Sequence, residues 1–309
     1  MPLGLGVFFI WYIYSSFTPE QLVETKAQFS KANYGFVALS VVFSVLSHLS
    51  RSYRWSFMLE PLGYYPKLAN NFMAISVAYL MNILIPKSGE ISRGIILDKY
   101  EDVPFEKGFG TIISERVIDL IFLLGIASIA FILKFDMLAE YISESIPKST
   151  IYVAVSGITG LGIVILLFLK FSKSKINLKL RTFVLGLKEG IFSILKMKKK
   201  GAFIFHTFLI WGLYLLSFYT ALFALAETTT ISFGTIITAF AVGSFTFAFT
   251  NSGFGTYPAA LAGILSVFGV SKTVGVAFGW IVWTSNIASL LFFGCLSLLI
   301  LPIYNRSKT

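Results

Sequence analysis

The chain has 309 residues, of which 56% are hydrophobic and 13% charged, with a net charge of +10. Globular domains carry about 25% charged residues, so this composition excludes a soluble catalytic domain and specifies an all-α polytopic membrane protein. The single cysteine, Cys295, excludes an intrachain disulfide, and the two histidines, His48 and His206, lack the spacing of a zinc site, so neither a metal nor another cofactor is expected.

The first apolar run, residues 3–17, lacks a basic leader and a small-residue cleavage site and reads as a retained helix. The next span, residues 34–59, ends on Arg51 and Arg54, with Lys67 just beyond, which the positive-inside rule assigns to the cytoplasmic face. A helix over the apolar residues 72–85 would rise only ~21 Å, short of the ~30 Å hydrocarbon core. It runs into LIPKSGEISRG, residues 84–94, where Pro86 removes a backbone donor and Gly89 loosens the chain. The return arm, residues 90–100, is too polar to face lipid and must face protein or a wet cavity. The segment therefore reads as a re-entrant helical hairpin with PKSGE at its tip.

Residues 108–134 form an outward span carrying Glu115, Arg116 and Asp119 in its first turns. Each would cost ~2.5–3.5 kcal/mol at a helix centre, and ionisable residues at depth mark function by default. Glu115 and Asp119 share a helix face, Arg116 reaches Asp119 at i,i+3, and Glu90 and Arg93 of the hairpin are expected to converge on the same cavity. Arg51 and Arg54, beside Trp55, suit a lipid phosphate because guanidinium groups fork onto its oxygens. The alternative for these two is plain anchoring at the membrane surface.

Residues 135–149 carry Asp136, Glu140 and Glu144 against Lys148 and are expected outside, so residues 151–171 run inward. The stretch from Lys170 to Lys200 holds ten basic residues and one acid, Glu189, which places the loop 172–200 in the cytoplasm. Leu178, Leu180, Phe183, Leu187 and Ile191 have amphipathic spacing there, suited either to a helix on the anionic inner leaflet or to a solvated loop. With no folded domain to shape a groove, the basic residues do not imply nucleic-acid binding.

The second half echoes the first. Residues 203–226 run outward, and the loop 227–232 has no basic residue. Residues 233–249 and 259–269 then flank FTNSGFGTYP, residues 249–258, before a long inward span over 273–301 that ends at Arg306 and Lys308. The expected architecture is one domain, 1–309, with about six full spans and two re-entrant hairpins, eight hydrophobic segments in all. Residues 34–134 and 203–302 form two units of opposite direction, and both termini are cytoplasmic. Transporters with inverted repeats bind substrate near the midplane, between broken helices whose amino ends attract anions.

SRSYRW, NILIPKSGEISRG, FEKGFGTIISERVIDL and the later GFGTY resemble the lysylphosphatidylglycerol synthase transmembrane family, also called flippase-like membrane proteins, over nearly the whole chain. In the multiple-peptide-resistance branch of that family such a domain moves aminoacylated phosphatidylglycerol to the outer leaflet, and a separate cytosolic domain makes it. The sequence stops at Thr309 without that synthase domain, so the resemblance implies translocation rather than aminoacyl transfer in a bacterial inner membrane. Tyr257 and Pro258 stand where the family often has an acid, which removes any charged role at the second tip.

The expected function is that of a flippase for a phospholipid or lipid-linked anionic substrate, with membrane lipids as its partners. The candidate binding residues are Arg51, Arg54, Ser88, Gly89, Glu90, Arg93, Glu115, Arg116 and Asp119 in the first half, and Asn251, Ser252, Gly253, Gly255 and Tyr257 in the second. The rival is an intramembrane enzyme acting on a polyprenyl phosphate, for which Asp98, Glu101 and Asp102 are the candidate acids.

Overall fold

A computed structural model describes residues 2–137 and 197–306, with short stretches between 139 and 167. The described elements are helical: α1 (Pro2–Ser15), α2 (Pro19–Lys31), α3 (Tyr34–Leu59), α4 (Leu68–Leu84), α5 (Gly89–Glu101), α6 (Phe105–Leu133), α7 (Lys200–Leu222), α8 (Phe233–Phe249), α9 (Thr256–Val267) and α10 (Lys272–Tyr304). Four of them, α3, α6, α7 and α10, are long and apolar enough to cross a membrane. The expected inward span 151–171, the acidic loop beyond residue 140 and the amphipathic stretch 178–191 lie mostly or wholly outside the described residues.

Helix starts follow capping chemistry. Thr18 and Gln21 form a reciprocal capping box ahead of Pro19, the first residue of α2. Asn33 caps α3 through the Gly35 amide at 3.0 Å, and Ser232 and Ser271 cap α8 and α10. α1 differs from the expected full crossing. It has 14 residues, ~21 Å of rise, and Gly6 abuts Phe254 in the turn between α8 and α9. Its first turns therefore lie beside that turn.

α3 and α7 pack side by side in opposite directions. The Asn33 amide donates to the Ala224 carbonyl at one end, and Lys199 pairs with Glu60 at 3.0 Å at the other. α4 and α5 fold back on each other: Glu101, at the end of α5, accepts from the Lys67 amide at 3.1 Å and from the Asn70 amide side chain, both at the start of α4. α8 and α9 do the same at the opposite end. Lys134, which closes α6, lies against both Gly234 at the start of α8 and Phe268 after α9.

α6 thus runs from the base of one hairpin to the base of the other. Lengths correspond pairwise: α4 and α8 have 17 residues each, α5 and α9 have 13 and 12. Packing corresponds as well, because α4 lies on α10 while α8 lies on α6. Two apolar clusters hold the halves, one around Trp55, Ile75, Leu97 and Ile112, the other around Phe218, Phe240, Leu261 and Phe278.

Candidate functional site

The first elbow joins α4 to α5. α4 stops at Ile85 because Pro86 has no amide hydrogen to continue the ladder. Lys87 turns the chain in the left-handed region, φ 64°, and the Ser88 hydroxyl caps the open end by donating to the Ile85 carbonyl at 2.7 Å. The Gly89 amide donates to Asn82 Oδ1 at 2.8 Å, and a side chain at Gly89 would collide with the Ala78 carbonyl, so only glycine lets α5 lie this close to α4.

The second elbow, residues 250–255, turns through left-handed Ser252, Gly253 and Gly255. Thr250 hydroxyl accepts from the Gly253 amide at 3.2 Å and shares a 3.0 Å hydrogen bond with Thr256, while the Trp283 indole donates to the Ser252 carbonyl at 2.8 Å. The elbows touch: Lys87 Nζ donates to the Ala248 carbonyl, near the end of α8, at 2.9 Å.

Beneath the first elbow sits a buried ionic cluster. Arg51 Nη1 lies 2.6 Å from both Glu115 Oε1 and Asp119 Oδ2. Arg54 Nη2 lies 3.0 Å from Glu115 and 2.8 Å from Asp119, and its side chain is 0% exposed. Arg93 Nη2 meets the other Glu115 oxygen at 2.7 Å, with its guanidinium 3.6 Å above the centre of the Trp55 ring. The Trp55 indole N–H in turn donates to Thr111 Oγ1 at 2.9 Å. One carboxylate, Glu115, therefore ties α3, α5 and α6 together. Removing a partner from such a cluster leaves a buried charge uncompensated.

A second, looser pair borders this cluster. Arg116 Nε stands 3.5 Å from Glu90 Oε1, and these side chains are 39% and 21% exposed. Both face a cavity of about 520 Å³ bounded by the two elbows and by α3, α4, α6, α7, α8 and α10. Arg51, Lys87, Glu90, Arg116 and Asp119 line its polar side; Asn251, Ser252 and Tyr257 face it from the second half. Leu120, Leu123, Phe240 and Phe247 make an apolar wall.

Not every candidate residue reaches the cavity. Arg54, Arg93 and Glu115 lie behind its wall, and Ser88, Gly89, Gly253 and Gly255 shape the elbows that bound it. Conversely, His48, Tyr79, Asn82, Lys87, Tyr214 and Asn286 line the cavity without having been singled out as binding residues. The signal for Lys87 and Asn82 was their place around a helix break. The tyrosines gave none, since an aromatic residue in an apolar run reads equally well as packing. Glu101, a candidate metal or base carboxylate in the enzyme reading, is engaged at the hairpin base with Lys67 and Asn70.

Among curated proteins, the chain is similar to UPF0104 membrane protein MJ1595 of Methanocaldococcus jannaschii, at 31% identity over 28% of this chain and 27% of the relative. Glycosyltransferase AglD of Haloferax volcanii matches at 28% identity over 33% of this chain and 16% of its own length. UPF0104 membrane protein MJ1078 of Methanocaldococcus jannaschii matches at 31% identity over 36% of this chain and 47% of the relative. The chain thus spans less than half the length of each of these relatives. No solved structure matches. The model of the family described as the lysylphosphatidylglycerol synthase TM region matches residues 1–284, which shows that the chain belongs to that family.

Proposed function

We propose that this chain carries a lipid with an anionic headgroup between the leaflets of the cytoplasmic membrane, the headgroup crossing through the cavity while the acyl chains stay in the bilayer. One observation carries the reading: a single cavity of about 520 Å³ is walled by both elbows and holds Arg51, Lys87 and Arg116 at that depth. α4–α5 and α8–α9 act as re-entrant hairpins from opposite faces, and the units 34–134 and 203–302 as an inverted repeat. The paired helix lengths and the exchanged packing of α4 on α10 and α8 on α6 support that repeat. The end carrying Lys67, Lys199 and Arg306 is the cytoplasmic one, which puts the carboxy terminus inside. Arg51, Arg116 and Lys87 meet the headgroup, with Asn251, Ser252 and Tyr257 opposite; Arg54, Arg93 and Glu115 hold Arg51 in place.

Purified protein in liposomes should move a tail-labelled phosphatidylglycerol between leaflets without changing its mass. Arg116→Gln should slow this roughly tenfold or more, while thermal stability shifts by less than about 1 kcal/mol, as expected for a half-exposed ion pair. If neither this label nor any other anionic lipid changes leaflet, the reading is sunk. Lipid recovered with an altered mass would instead favour a lipid-modifying enzyme; the AglD relative is named a glycosyltransferase.

A further inference from the structure

Resting on that translocation reading, we infer that the preferred cargo is a lipid ending in a phosphate monoester, in preference to the singly charged phosphodiester of common phospholipids. A monoester carries about −1.5 to −2 charge at neutral pH and offers three acceptor oxygens.

Net charge around the cavity favours a doubly charged headgroup. Around the cavity and directly behind its wall, the described residues include five cations, Arg51, Arg54, Arg93, Arg116 and Lys87, and three carboxylates, Glu90, Glu115 and Asp119. Two positive charges are left over. The second half does not balance them, because its contribution to the cavity wall is neutral: Asn251, Ser252, Tyr257 and Asn286. His48, Tyr79 and Tyr214, which also line the cavity, add no negative charge at neutral pH. A diester would leave one of the two uncompensated, and a monoester matches both.

Of the three cations that line the cavity, Arg116 and Lys87 are held most loosely. Arg116 is held by Glu90 only at 3.5 Å through Nε, which leaves its terminal nitrogens directed at weaker partners, the nearest being Asp119 at 4.0 Å. Lys87 Nζ rests on a neutral acceptor, the Ala248 carbonyl. Its backbone is left-handed, φ 64°, a conformation that strains any residue but glycine. Glycine would form this turn without strain, so a lysine here spends backbone energy to place an ammonium at the elbow.

The test uses phosphatidylcholine liposomes containing the full chain and a trace of one tail-labelled lipid: phosphatidic acid, a polyprenyl monophosphate or phosphatidylglycerol. Bleaching of outer-leaflet label reports crossing. At least one monoester should cross roughly tenfold or more faster than phosphatidylglycerol, and which one does so identifies the lipid source. Lys87→Gln should bring the ratio towards one, and Lys87→Arg should retain most of it. Equal rates for monoester and diester in the unmodified protein would overturn the charge match while leaving translocation standing. Failure of all three labels to cross would overturn both. A Lys87→Gln protein that keeps the full ratio would overturn the assignment to this elbow.

Discussion

The two hairpins share lengths and packing but differ in chemistry. The first half is braced by ions: Glu115 receives Arg51, Arg54 and Arg93 from two helices, and Trp55 lies under Arg93. The second half has no charge at its elbow and holds its shape by left-handed turns, threonine hydroxyls and the Trp283 indole. A charged brace loses much when one partner is removed, whereas a hydrogen-bonded turn yields in small steps. The same architecture can thus be made stiff on one side and adjustable on the other by changing which polar groups secure the bend.

Substitutions that attack each half separately test this contrast through loss of stability. Glu115→Leu should cost about 3–5 kcal/mol, because three buried guanidinium groups lose a shared partner. Thermal unfolding in detergent would show it, and a melting temperature close to that of the unmodified protein would refute the ionic brace. Gly255→Ala should cost about 1–3 kcal/mol, since φ is 64° and the added carbon would meet the Gly6 carbonyl. If it melts as early as Glu115→Leu, the second elbow is as rigid as the first. Trp55→Phe keeps a ring beneath Arg93 but loses the hydrogen bond to Thr111, for about 1 kcal/mol. Asn251→Ala should change stability by about 0.5 kcal/mol or less, because the buried Oδ1 of Asn251 has no partner among the described residues. Its effect should appear as slower lipid crossing, and a large stability loss would make it a structural residue instead.

Much of the fold was legible from length and punctuation. An apolar stretch too short to cross, followed by Pro86 and Gly89, announced a bend, and the helix indeed ends at Leu84 and resumes at Gly89. The charged turn of α6 announced a need for partners, but not which ones: the expected Arg116–Asp119 pair is loose at 4.0 Å, and Arg51 and Arg54, read as suited to a lipid phosphate, hold Glu115 and Asp119 instead. What sequence could not rank was depth within the wall. Arg93 and Arg116 look alike in the chain, yet α5 turns the first onto Trp55 while α6 turns the second towards the cavity. The first helix was legible as a helix, but hydropathy over residues 3–17 does not reveal that Gly6 packs against the second elbow.

At the foot of the first hairpin, the side-chain amides of Asn70 and Asn305 donate to each other's oxygens at 2.9 Å, and the same Asn70 amide also reaches Glu101. Outgoing leg, returning leg and the tail of the final helix are knotted there into one piece. Any rocking of this hairpin must therefore carry α10 along with it or bend above the knot, and a bend near its tip would first have to break the Lys87 contact with the Ala248 carbonyl.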